Sequence, residues 1–308
     1  MSLKLGIVGF GKIARDEHVP AIARTPGADL IAVASPHGRH PDLPIYPTLT
    51  AMLAAHPDLD AIVLAQPPVA RFAAAHEALA AGKHVFLEKP PGATLSEVDQ
   101  LRALAEKRGL TLFAGWHARW SDQVAALKAW VAGRTLRYIA IEWKEDVRLW
   151  HPGQDWIWQP GGFGVMDPGI NALSILTGVV ADPIRLIDAT LAIPGNRHTP
   201  IAATMALMTA SGVPVSVALD WLQTGPQIWR MEFTDTSGEC HVFAQGGDNA
   251  EHTQGDAESA LAPEYRAMFA HFVGLVKSAR SDVDTAPLQI VADAFLRGKI
   301  DFVAPFEH

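Results

Sequence analysis

At 308 residues the chain exceeds one ordinary compact domain and suits two of about 100–200 residues each. Apolar side chains make up 49% and charged ones 19%, enough for two cores and too little charge for a disordered or solvating chain. A net charge of −8 opposes binding to a phosphate backbone, and the single cysteine, Cys240, excludes an internal disulfide and a multi-cysteine metal site.

No apolar run reaches the roughly 18 residues of a membrane span, and Met1-Ser2-Leu3-Lys4-Leu5 does not open a secretory signal, so the expected location is the cytoplasm. In chain order, residues 3–8 read as a buried strand and 12–24 as a helix. Residues 30–34 are strand-like, 48–55 helical and 60–65 a further strand. After Pro67-Pro68, the Ala-rich stretch 71–81 reads as a helix ended by Gly82. Residues 85–87 then form a strand that runs into Glu88-Lys89-Pro90. Thr94, with Glu97 three residues on, makes a capping box; its helix stops near Gly109 before a strand at 110–114. Strands separated by helices of this length require right-handed crossovers, so residues 1–118 are expected to form a doubly wound parallel sheet.

Beyond residue 118 the strand-like stretches lengthen and alternate: 136–144, 184–193, 204–209, 213–219 and 228–234. Polar turns such as Ser211-Gly212 and Thr236-Ser237-Gly238 join them. The pattern predicts a second α/β domain over 119–308, built on a large, open, mainly antiparallel sheet with helices on one face. Residues 263–279 and 287–297 read as helices, and a C-terminal helix is free to pack back on the first domain.

Gly9-Phe10-Gly11-Lys12-Ile13-Ala14 fits G-x-G-x-x-A directly after the first strand and at the start of a helix. Glycines there permit a tight turn and a close approach of backbone to a pyrophosphate, while the helix N-terminus offers unpaired N–H groups. A lone glycine match is weak, but this one lies inside a βαβ unit of the right size, so a dinucleotide-binding Rossmann domain is expected. The second strand ends at Ala34-Ser35, where a site preferring NAD carries Asp or Glu for the ribose hydroxyls. Ser35 removes the charge that repels a 2′-phosphate, and His37 and Arg39 follow, so NADP is expected ahead of NAD. Gly9, Gly11, Lys12, Ile13, Ser35, His37, Pro67, Glu88 and Lys89 are the residues expected to line the dinucleotide.

Glu88-Lys89-Pro90 sits at the C-terminal end of a parallel strand, the edge where open α/β sheets bind ligands. Taken alone, such a tripeptide is more often a surface lysine before a turn. Joined to the glycine motif and to the run Gly161-Gly162-Phe163-Gly164-Val165-Met166-Asp167-Pro168-Gly169-Ile170-Asn171, it resembles the Gfo/Idh/MocA family of sugar and polyol oxidoreductases. The resemblance spans the whole chain and implies a Rossmann domain followed by an α/β domain with an open sheet. Asp167 and Asn171 stand four apart on one helical face. Many relatives carry His at the second position as general base. Asn cannot accept a proton at neutral pH, which leaves Asp167 and Lys89 for proton handling.

Four segments resemble the branch of that family acting on L-arabinose and D-galactose at the anomeric carbon. They are Gly115-Trp116-His117, Trp143-Lys144-Glu145-Asp146-Val147, Trp150-His151-Pro152-Gly153-Gln154 and Asp167-Pro168-Gly169-Ile170-Asn171. The resemblance implies an aldonolactone product, Lys89 and Asp167 as catalytic groups, and Asn171, His117, Glu145, Trp150 and Trp229 as sugar-binding groups. A sugar site needs placed hydrogen-bonding groups and a flat apolar wall, and Trp supplies both. Trp is more often core than ligand wall, so Trp143, Trp156 and Trp158 are read as packing. His18, His76, His84 and His151 have no metal-ligand spacing and read as structural or solvated; no metal is expected. The resemblance allows a homodimer, while the net charge and the lack of a long apolar run speak against a nucleic-acid or membrane partner. Two rivals stand beside this reading: oxidation of another sugar or polyol such as an inositol, and a non-catalytic regulator sensing NADP and a sugar.

Overall fold

The structure, a computed structural model, describes residues 2–245 and 261–307. These fall into two compact units, 2–120 with 261–285 and 121–245 with 286–307.

The first unit is built on six parallel strands: β1 (Leu3–Val8), β2 (Ala28–Ala34), β3 (Ile45–Tyr46), β4 (Ala61–Leu64), β5 (His84–Glu88) and β6 (Leu112–Gly115). Their order, β3-β2-β1-β4-β5-β6, reverses direction between β1 and β4, the switch point at which such sheets take ligands. The helices are α1 (Val19–Ala23), α2 (Leu49–Ala55), α3 (Pro68–Ala80), α4 (Leu95–Arg108) and, far along the chain, α8 (Ala262–Lys277). Alternate strand residues feed opposite faces. Leu5, Ile7, Val63 and Phe86 pack against Phe269 and Phe272 of α8 on one face. Ile62, Leu64, Val85 and Leu87 pack with Ala75, Leu79 and Leu101 on the other. Burial on both faces is why these strands read as unbroken apolar runs.

The capping box forms as expected: Thr94 Oγ1 accepts from the Glu97 N–H at 3.3 Å and Glu97 Oε2 accepts from the Thr94 N–H at 3.2 Å. The helix expected over 12–24 spans 12–23, but Ala14–His18 winds with π geometry before α1. The inserted residue leaves the neighbours Glu17 and His18 both inside, at 5% and 0% exposed. Strand β3 is two residues long, too short to leave a periodic signal. A single cut near residue 118 would put α8 in the second domain; its phenylalanines seat it in the first unit instead.

The second unit holds seven strands: β7 (Leu136–Lys144), β8 (Ile184–Pro194), β9 (Ala202–Thr209), β10 (Pro214–Asp220), β11 (Ile228–Asp235), β12 (Cys240–Gln245) and β13 (Lys299–Val303). They are ordered β12-β11-β7-β10-β9-β8-β13. Four neighbouring pairs are antiparallel, while β7–β10 and β8–β13 are parallel, so the sheet is mixed and mostly antiparallel. Its helices are α5 (Asp122–Val131), α6 (Val147–Trp150), α7 (Met166–Val179) and α9 (Ala286–Arg297). Along β10, Val215, Val217 and Leu219 turn inward, the alternation that made this strand legible.

Candidate active site

In the first unit, Gly9 ends β1 with φ of +88°, and an added Cβ would stand 2.8 Å from the Gln66 backbone nitrogen. Only glycine allows this turn against the chain leaving β4. At Gly11 the space a Cβ would enter is open to 4 Å, and the helix over 12–23 begins beside it. An open cradle at a helix N-terminus fits a dinucleotide pyrophosphate. Ile13 lies in the first turn of that helix, and Lys12 pairs with Asp16 one turn on. Half-buried Ser35 follows β2, with its N–H donated to the Tyr46 carbonyl at 2.8 Å. His37 is exposed, and Pro67 precedes α3 at the end of β4.

Lys89 is half-buried, directly after β5. Arg71, 3% exposed on α3, brackets it: the guanidinium donates to the carbonyls of Glu88 and Pro90, and to that of Gln66 at 2.5 Å. Glu88 Oε1 accepts from the Tyr265 hydroxyl at 2.6 Å, and Oε2 from the Lys89 N–H. His18 Nε2 lies 3.3 Å from Glu88 Oε1 but off the hydrogen-bond direction, so it acts as a nearby dipole or charge. Burial opposes ionisation of Glu88, yet His18, then His117 and Lys89, outweigh it and hold the carboxyl at about 2. The Glu88 carboxylate is therefore engaged within the unit, against α8. His117 follows β6, 6% exposed, with Nδ1 2.8 Å from Glu264 Oε2.

Glu88 gives this unit a defined acid sensitivity. A carboxyl depressed in the folded state stabilises it fully above its unfolded value of 4.5, and that stability is lost as the pH falls toward about 2. Its size is on the order of 3 kcal/mol. In urea unfolding from neutral pH to pH 3, the gap between wild type and Glu88→Gln should narrow steadily below pH 4.5. A gap that ignores pH would refute the assignment.

In the second unit, Glu145 follows β7 and is 3% exposed. Its Oε1 accepts from Trp221 Nε1 at 3.2 Å and its Oε2 from Trp229 Nε1 at 3.0 Å. Trp229 stacks on Trp143, with centroids 5.3 Å apart and planes 11° apart, and meets Trp150 at 5.6 Å. The carboxylate thus fixes the edge of an aromatic wall by one indole N–H on each oxygen. Asp167 lies in the first turn of α7, 4% exposed, where the helix dipole favours a carboxylate.

The approach to α7 depends on Gly164, at φ +53°, whose added Cβ would stand 2.3 Å from the Pro200 carbonyl oxygen. Asn171 follows Asp167 by one turn, and its Oδ1 is buried without a hydrogen-bond partner. A buried acceptor of this kind suits a ligand hydroxyl.

The sequence reading missed His151, taken as structural or solvated. Its Nε2 lies 3.9 Å from Glu145 Oε1 and 4.0 Å from Asp167 Oδ2, with its ring 5.1 Å from that of Trp221. Trp221 and Arg71 were missed as well. Trp158 is packing, as read: it is fully buried against Trp221 and Phe306. Among the described residues no group of three or more His, Cys, Asp or Glu side chains is placed to hold a metal, and no helix is long and apolar enough to cross a membrane.

Residues 3–116 match GFO_IDH_MocA, an oxidoreductase family with an NAD-binding Rossmann fold. Over 301 residues, 96% of this chain and 96% of the relative, the sequence is 40% identical to galactose 1-dehydrogenase of Pseudomonas fluorescens. The crystal structure of a D-galactose-1-dehydrogenase protein from Rhizobium etli has a TM-score of 0.89 at 47% identity, covering 99% of this chain and 98% of that one. Myo-inositol 2-dehydrogenase from Lactobacillus plantarum, at 14% identity and a TM-score of 0.80 over 96% and 97% of the two chains, shares the fold alone. The strand order, the glycine turn and a match running through both units agree: the chain belongs to the Gfo/Idh/MocA family of oxidoreductases.

Proposed function

We propose that the protein is an aldose 1-dehydrogenase that oxidises D-galactose and L-arabinose at the anomeric carbon, with NADP preferred over NAD. The observation that carries this reading is the second unit's cluster: Glu145 clamped by Trp221 and Trp229 beside the Trp143 and Trp150 rings, with Asp167 close to His151 and the buried Asn171 Oδ1 without a partner. Flat aromatic faces and placed acceptors are what a pyranose requires. The similarity to two galactose 1-dehydrogenases along nearly the full chain supports the choice of substrate. The two sugars share their ring configuration and differ by the exocyclic hydroxymethyl group, so one pocket serves both.

In this reading the pyranose loses the hydrogen on C1 as hydride and the proton of the C1 hydroxyl, leaving the aldonolactone. The bound dinucleotide supplies the two-electron acceptor. Asp167, or Lys89 acting with it, takes the hydroxyl proton, and the C1 oxygen stays as the lactone carbonyl; Asn171 orients the hydroxyl, and His117, Glu145, Trp150 and Trp229 bind the ring. Ser35, which lacks a carboxylate, supports NADP. The rival regulator would not need both Lys89 and Asp167, and both are present. The sheet face on which Tyr138 and Val242 are exposed supports a homodimer, to be read by sedimentation.

The test is formation of reduced nicotinamide from NADP and from NAD with L-arabinose, D-galactose, D-glucose and myo-inositol. The expected result is turnover with arabinose and galactose, faster with NADP. Turnover with the inositol alone, or none despite dinucleotide binding, overturns the reading.

A further inference from the structure

We propose that Glu264 and Tyr265, adjacent near the start of α8, are positioning residues for the two polar groups of the first unit: Glu264 fixes the ring of His117, and Tyr265, through Glu88, fixes the backbone of Lys89. The inference rests on the reading of His117 as sugar-binding and Lys89 as catalytic. Consecutive helix residues point about 100° apart. One turn of α8 can therefore address both the end of β5 and the end of β6.

Glu264 and Tyr265 are 3% and 0% exposed. A carboxylate only accepts, so the 2.8 Å contact of Glu264 Oε2 keeps the proton on His117 Nδ1 in either charge state of the ring. Nε2, on the opposite side, is then the acceptor of the neutral imidazole. The ring plane is held by stacking on Tyr265, centroids 5.3 Å apart and planes 19° apart. The Tyr265 hydroxyl donates to Glu88 Oε1 at 2.6 Å, and Glu88 Oε2 accepts from the Lys89 N–H, so two bonds in series tie Lys89 to α8. Burial, then the Glu88 charge, push that hydroxyl well above its ordinary value, and it stays a donor. His18 closes the group edge-on to Tyr265 at 5.1 Å.

Phe269 and Phe272 already seat α8 on the sheet. A second anchorage made of buried carboxylates costs desolvation that apolar side chains would avoid. That cost is explained if the polar pair holds geometry at His117 and Lys89.

The two neighbours should give opposite kinetic signatures. Glu264→Met is expected to raise the sugar KM about tenfold with kcat nearly unchanged, and Glu264→Gln, which keeps an acceptor, to recover most of the loss. Tyr265→Phe is expected to lower kcat about tenfold with KM nearly unchanged. Nitrogen NMR of the ring should show His117 protonated at Nδ1 in the wild type and mixed tautomers in Glu264→Met, a readout independent of turnover. Two results overturn the proposal: both variants shifting kcat and KM alike in step with lost stability, or His117→Ala raising KM while Glu264→Met leaves it unmoved. If His117→Ala itself leaves KM unchanged, the sugar-binding reading of His117 is what fails, and the role of Glu264 falls with it.

Discussion

Lys89→Met should bind the dinucleotide nearly as the wild type does and lose about 10²–10⁴-fold in kcat. Methionine keeps the length and apolar stem of lysine but removes the ammonium. The support of the turn survives, because Arg71 grips the carbonyls of Glu88 and Pro90, and Glu88 the Lys89 N–H, all of them independent of the side chain. Glu88 does lose one of the charges holding its carboxyl down, after those of His18 and His117, so a small loss of stability is expected. Dinucleotide affinity is read by quenching of indole emission and kcat by reduced nicotinamide. Substantial remaining turnover would remove Lys89 from the chemistry.

Glu145→Ala should weaken both the stability of the second unit and its hold on the sugar. It leaves the Nε1–H of Trp221 and of Trp229 without their acceptor, at about 1–3 kcal/mol each, and opens a void at the foot of the aromatic wall. Relief from burying an anion offsets part of that loss, and Glu145→Gln isolates this part by keeping one accepting oxygen. The expected order of stability in urea is wild type, then Gln, then Ala, with kcat/KM for the sugar falling in the same order as Trp229 loses its orientation. An alanine variant within about 1 kcal/mol of wild type would show that the indoles hold themselves.

Much of the fold and part of the candidate site were legible because their signals are local. The glycine turn at Gly9, the capping box at Thr94 and the alternation of β10 each depend on a few consecutive residues. The Asp167 and Asn171 spacing, and the glycines leading to it, likewise lie on one stretch of chain. Strands β12 and β13 were missed for the converse reason: each is short, and β13 is exposed along most of its length at the sheet edge, so no buried face marks it. His151 gave no signal, because a single histidine before a Pro-Gly turn looks solvated until folding brings Glu145 and Asp167 to it. Arg71 was hidden in an Ala-rich helix, and Glu264 in the amphipathic pattern of α8. The carbonyls of Glu88 and Pro90 that Arg71 grips lie 17 and 19 positions away, and the partner of Glu264 lies 147 away, so no local pattern announces either role.

The return of α8 to the first unit bears on how the protein must be made. Tyr265, Met268, Phe269, Phe272, Val273 and Leu275 complete the core begun by Leu5 and Ile7. A ribosome that has delivered only the first 120 residues has therefore delivered a sheet with one face covered only in part, by Ala14, Ala21 and Ile22. Each aromatic still to come is worth roughly 1.5–3 kcal/mol when buried. Domains usually mature in the order of synthesis. Here the first-made unit waits for nearly the last-made helix of the chain, and the nascent sheet stays exposed to chaperones and to misassociation until then. A fragment cut at the apparent boundary is expected to be insoluble, whereas adding residues 261–285 through a flexible linker should rescue it.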